Sequence, residues 1–187
     1  MRYFIGFLLA VGMIVLVFIL LLRGFSGGGG DKPKTPQVML RDYATTTTEV
    51  QYTQDGPVTA DELHQGVRIT VGQTESRIEV YQGYQNNVIR SKNYPNNQAS
   101  YTEFLSALQL LGFNKGNKDP KKTDERGFCP DGSRYIFQII DNGNDIQRYW
   151  ATSCGGQGNY AGAIGRVRSL FRQQIPDYND LTSDLTL

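Results

Sequence analysis

His64 is the only histidine in the chain, with Asp61 and Glu62 three and two positions before it. An imidazole beside carboxylates is the raw material of a proton-transfer site or of part of a metal site. A zinc site takes three or four ligands from His, Cys and carboxylate, and no second histidine exists to join this one. A Ser-His-Asp arrangement would have to use His64, yet residues 49–178 contain no G-x-S-x-G element to present a nucleophile. His64 is therefore expected as a surface residue in the segment before a strand.

The other reactive pair is Cys129 and Cys154. In a reducing compartment two such distant thiols would be unrelated, or catalytic; on the oxidising side of a membrane they are most simply a disulfide. Gly156, Gly158 and Gly162 form a G-x-G-x-x-x-G run between an expected strand and an expected helix, the neighbourhood in which backbone amides meet a diphosphate. The strand before it belongs to a hairpin rather than a parallel βαβ unit, so the glycines read as a tight connection beside the disulfide. Asp141-Asn142-Gly143-Asn144-Asp145 superficially resembles a calcium loop, but Ile146 occupies the sixth position, where an EF-hand needs glycine. It reads as a hairpin turn. No cofactor and no metal is expected.

What remains for function is surface. Eleven tyrosines are a surplus for this length, and tyrosine is enriched where proteins bind one another. Tyr81, Tyr84 and Tyr94 fall in a strand-and-turn region. Lys121, Lys122 and Arg126 lie in a polar loop, 114–127, with five Lys and Arg against three acids. These six residues are the candidate binding surface, for a protein or an envelope polymer. Over the whole chain 19 Lys and Arg face 18 Asp and Glu, which gives no sustained basic field for nucleic acid.

The elements that would position such a surface begin with the N-terminus. Tyr3 to Leu22 is twenty residues without a charge, long enough as a helix to cross a bilayer. It is longer than a secretory h-region, and the Gly24-Phe25-Ser26 triplet is a poor cleavage site, so residues 1–23 read as an uncleaved single-pass anchor. Arg2 before it against Arg23, Lys32 and Lys34 after it leave the positive-inside count ambiguous; the cysteine pair favours an outward-facing C-terminal domain. Residues 24–48, rich in Gly, Pro and Thr, read as a flexible tether, and about fifteen such residues have a coil reach of roughly 20 Å.

Residues 49–178 read as one domain and 179–187 as a frayed acidic tail. Val50 and Tyr52, then Val67, Ile69 and Val71, then Ile78 and Val80 alternate as strands of an antiparallel meander that ends with Val88 to Lys92. Ser100 and Glu103 form the S-x-x-E signature of a capping box, followed by Tyr101, Phe104, Leu105, Leu108 and Leu111 at helical spacing and Gly112 as the stop. Arg134 to Ile140 is apolar on both faces and belongs inside the sheet. Asn142-Gly143 turns it back through Ile146 to Thr152. A last helix runs from Tyr160 to about Gln174, with Arg166, Arg172 and Gln173 outward. The order strands, helix, hairpin, helix makes an α+β domain with two helices on one face of an antiparallel sheet.

Asp55-Gly56-Pro57, Gly83-Tyr84, YPNNQASY (94–101), TDERGFCPDGSRYIF (123–137), WATSC (150–154) and LFRQQIPDY (170–178) are similar to segments of a family of small membrane-anchored proteins from reduced-genome bacteria. The resemblance spans about residues 50–178. It implies a bacterial envelope location and brings no activity and no site residue with it. The expectation is thus a membrane-anchored, extracytoplasmic binding module without a catalytic centre. A structural subunit of an envelope or cell-contact assembly is the alternative, and an envelope enzyme using unpaired carboxylates is a third reading.

Overall fold

The computed structural model describes residues 39–187. The apolar segment Tyr3 to Leu22 lies outside them, and among the described residues no helix is long and apolar enough to cross a membrane. Six strands form, with period-two alternation of apolar residues clearest in β1 and β3: β1 (Glu49–Asp55), β2 (Gln65–Val71), β3 (Glu75–Gln82), β4 (Asn87–Pro95), β5 (Arg134–Asp141) and β6 (Asn144–Thr152). They form one antiparallel sheet in the order β4-β3-β2-β1-β5-β6. Tyr52 stands opposite Ile69 and Phe137, and Ile69 opposite Ile78, so one row of large side chains crosses the sheet on a single face. Those residues are buried to within 1%. The fold is α+β, and β5 is interior, paired on both sides.

Helix α1 (Gln98–Leu110) buries Tyr101, Phe104, Leu105 and Leu108 against that row. Its cap differs from the S-x-x-E expectation. Asn97 is the extended N-cap residue and its side chain accepts from the Ser100 N–H at 3.0 Å. Asn caps as well as Ser, so the helix starts as soon as β4 has ended at Pro95, and Ser100 lies in its first turn. The stop is as read: Gly112 has φ +75°, its N–H bonds to Gln109 O and that of Phe113 to Leu108 O, the paired bonds of a Schellman motif. Asn142 (φ 49°) and Gly143 (φ 79°) make the β5–β6 turn.

Helix α2 (Ile164–Gln173) begins four residues later than expected. The residues before it serve the outer edge of β6 instead: the N–H groups of Asn159 and Tyr160 both donate to Trp150 O at 3.0 Å. Val167 and Phe171 are buried, and the Tyr160 ring stacks on Phe137 at 4.1 Å. Arg172 does not face outward. Its Nη2 donates to Gln54 Oε1 at 3.2 Å and its guanidinium lies over the Tyr178 ring.

Both ends of the described chain are folded where a tether and a frayed tail were expected. Leu40–Thr45 is a 3-10 helix with Leu40 and Ala44 buried, and the Leu40 N–H donates to the Gln109 side chain at 2.7 Å. The tail forms α3 (Tyr178–Thr182), with Leu181, Leu185 and Leu187 against the core. Acidic composition obscured that apolar spacing. Cys129 and Cys154 are joined as a disulfide with Cα atoms 5.8 Å apart, tying the long loop to the end of β6.

Candidate functional site at one end of the sheet

Asp55 ends β1, and in the same cross-strand row stand Arg134 on β5, Gly66 on β2 and, beyond Gly66, Tyr81 on β3. Residues of one row point to one face, here the face away from α1 and α2. Gly66 supplies no side chain, so the Tyr81 ring lies across it; a Cβ at Gly66 would sit 2.1 Å from that ring. The Tyr81 hydroxyl therefore reaches Asp55 Oδ1 at 3.0 Å, donating to it. From the other side Arg134 Nη2 meets Asp55 Oδ2 at 2.5 Å and donates to Gly56 O at 2.8 Å.

The β1–β2 connection folds back over this row and delivers His64. Its Nε2 is 2.8 Å from Asp55 Oδ1 and its Nδ1 is 3.0 Å from Pro57 O. A carbonyl can only accept, so Nδ1 donates, and Nε2 faces the carboxylate oxygen. His64 and Tyr81 are 2% exposed and Arg134 is 4% exposed. The expectation of a surface histidine is corrected: the charged row beneath it gives the ring a reason to be inside. Burial, followed by the negative charge of Asp55, pushes the Tyr81 phenol far above its ordinary value. It remains a neutral donor at any physiological pH.

Tyr84 is the lid of this cluster. Its ring stacks on His64 at 4.2 Å, its hydroxyl donates to Thr59 O at 2.8 Å, and its N–H donates to Asp61 Oδ1 at 2.7 Å. These bonds staple the β3–β4 turn to the β1–β2 connection. Outside the staple Val58, Leu63 and Tyr84 are 51%, 68% and 49% exposed, interleaved with the exposed polar residues Thr59, Asp61 and Glu62. Beside them a shallow cleft of about 320 Å³ is lined by Pro57, Thr59, Glu62, Leu63, Gln65, Gln82 and Thr186. Asp55 and His64 are both engaged inward, so the cluster braces the surface above it.

The six expected surface residues do not converge. Tyr84 is at this end of the sheet, and Tyr81 is beneath it as part of the buried row. Tyr94 is at the opposite end of β4, half-buried, its hydroxyl donating to the Asp177 carboxylate. Lys121, Lys122 and Arg126 are exposed in the loop beyond β6, the far edge of the sheet. The glycine run is occupied too. Gly158 bridges to Ala151, and a Cβ there would meet Trp150 O at 2.4 Å, so its backbone closes a sheet edge and presents no amide cradle. Among the described residues no group of three or more His, Cys, Asp or Glu is placed to hold a metal ion.

Asp55 and Arg134 were not legible as site residues. Asp55 is followed by Gly56-Pro57, the composition of a turn, and only the strand order brings Arg134 beside it. No protein-family model matches the chain, and no curated protein matches it.

Proposed function

We propose that this chain is a membrane-tethered binding module whose working surface is the end of the sheet carrying Val58, Leu63 and Tyr84. In this reading Tyr3 to Leu22 is the single-pass anchor, and the disulfide-bearing α+β domain stands outside the cytoplasm. There it meets a protein or an envelope polymer. One observation carries the proposal: exposed apolar side chains sit on a buried, mutually hydrogen-bonded frame of Asp55, His64, Tyr81 and Arg134. A surface fixed in advance loses little conformational entropy on binding, and Tyr84, beside the cleft, is of a residue type enriched at binding hot spots. The chain enters β1 at Glu49, the opposite end of that strand from Asp55, so the surface lies a strand length, about 20 Å, from that entry point.

The test is capture from envelope extracts with the full chain held in detergent micelles. Leu63→Asp and Tyr84→Ala are expected to lose the captured partner by tenfold or more, about 1.4 kcal/mol. Ile146→Asp, an exposed apolar position at the other end of the sheet, should retain it. Equal capture by all three variants would overturn the assignment of this surface.

A further inference from the structure

Leu110 ends α1 with 87% of its surface exposed, the most of any large apolar residue among those described. Met39, 42% exposed, is its neighbour, since the adjacent residues Leu40 and Gln109 are hydrogen-bonded to each other. Just past the Gly112 stop come Lys115, Lys118, Lys121 and Lys122, all exposed and in no ion pair among the described residues. Two of the three acids of the same loop are already paired with arginines. Asp119 accepts from the Lys121 N–H, Asp124 holds Arg126, and Glu125 holds Arg148. The charge left over is cationic.

This loop is pinned. Lys115 O accepts from the Ala161 N–H at 3.0 Å, the Asn117 N–H donates to Asn159 O at 2.7 Å, and the Trp150 indole donates to Lys122 O at 2.7 Å. It passes around the β6 edge and fixes four lysines along one rim, next to two bare apolar side chains. Only sixteen residues separate Met39 from Leu22, at most roughly 60 Å fully extended. A bilayer holding Tyr3 to Leu22 is therefore always within reach of this rim.

We propose that the β6 rim docks on anionic phospholipid, with Leu110 and Met39 entering the headgroup layer and Lys115, Lys118, Lys121 and Lys122 facing acidic headgroups. The charge complementarity is that of polybasic segments beside an anchor, and the apolar pair adds the insertion that such segments lack. The proposal rests on the anchor reading of the N-terminal segment. It also gives that reading an orientation. With β6 on the lipid, the strand order holds β4 and the Tyr84 turn five strand spacings away, roughly 24 Å.

The experiment reconstitutes the full chain into vesicles of phosphatidylcholine alone and of phosphatidylcholine mixed with phosphatidylglycerol. It reads flotation and amide hydrogen exchange. Flotation with both lipids, and exchange over residues 108–122 slowed about tenfold only with phosphatidylglycerol, is the expected result. The slowing should vanish in the variant combining Lys115→Glu, Lys118→Glu, Lys121→Glu and Lys122→Glu, and weaken in Leu110→Ser. Flotation with both lipids but unchanged exchange, or slowing that survives charge reversal, overturns docking and leaves the anchor standing. Flotation only with phosphatidylglycerol keeps docking and overturns the anchor. Flotation with neither overturns both.

Discussion

The two edges of the sheet are finished by opposite means. At β6 the chain supplies its own cover: Asn159 and Tyr160 bond to Trp150 O, the Asn159 side chain accepts from the Trp150 N–H at 2.7 Å, and the Cys129–Cys154 disulfide closes the end. Phe128 and the Trp150 ring, 5.1 Å apart, seal the far face. At β4 no further strand follows among the described residues, and Val88 and Ile89 are about half exposed. Protection there is local and electrostatic. A bulge shifts the register between Val80 and Tyr81, while Arg90 and Lys92 reach back to Asp184 and Asp177 in the C-terminal segment. Both devices prevent edge-to-edge pairing. The covered edge draws its stability from packing and a covalent link, and the open edge from ion pairs that water and salt weaken.

Breaking the covered edge should therefore cost the most. Trp150→Ala removes a side chain 1% exposed together with its indole hydrogen bond to Lys122 O. Chemical denaturation should show a loss of about 4 kcal/mol, with exchange accelerated first over β6 and residues 114–133. Cys129→Ala with Cys154→Ala opens a loop with a sequence separation of 25, and the same measurement should fall by about 3 kcal/mol. On the open edge, Lys92→Ala should change stability by less than about 1 kcal/mol, because the Lys92 side chain is 51% exposed. A loss at β4 as large as that at β6 would erase the contrast.

The smallest effect is in acid. Hydrogen bonds from Arg126 lower the Asp124 carboxyl to about 2, and those from Arg90 hold the Asp184 carboxyl below its ordinary value. A carboxylate depressed in the folded state stabilises it above the ordinary carboxylate range, and that contribution disappears as pH falls through the folded value. Carboxyl NMR should find Asp124 still ionised where free aspartate is half protonated. Added salt should move both acids toward the ordinary value.

The parts of the fold that depend on neighbours in sequence were legible. Strand alternation, the α1 stripe, the Gly112 stop and the Asn142-Gly143 turn each follow from residues a few positions apart. Apart from the α1 cap, taken by Asn97 instead of Ser100, and the C-terminal leucines, the failures involve distant partners. Residues 160–163 looked like the start of a helix because nothing near them reveals that the edge of β6 needs the N–H of Tyr160. His64 looked like a surface residue because its acid, Asp55, is brought under it only by the β1–β2 pairing. Alternation with Val80 does place Tyr81 on the face away from the helices, but its burial depends on Gly66 opposite. Leu181 and Leu185 were hidden by the acids around them.

Trp150 is the only tryptophan in the chain, and it lies beneath the loop that closes β6. Excitation at the red end of the indole band therefore gives light from one place, and the emission colour is a built-in gauge of whether that closure is intact. Lifting the loop off the ring should shift the emission to longer wavelength, while melting confined to β4 should leave the signal dark to the event.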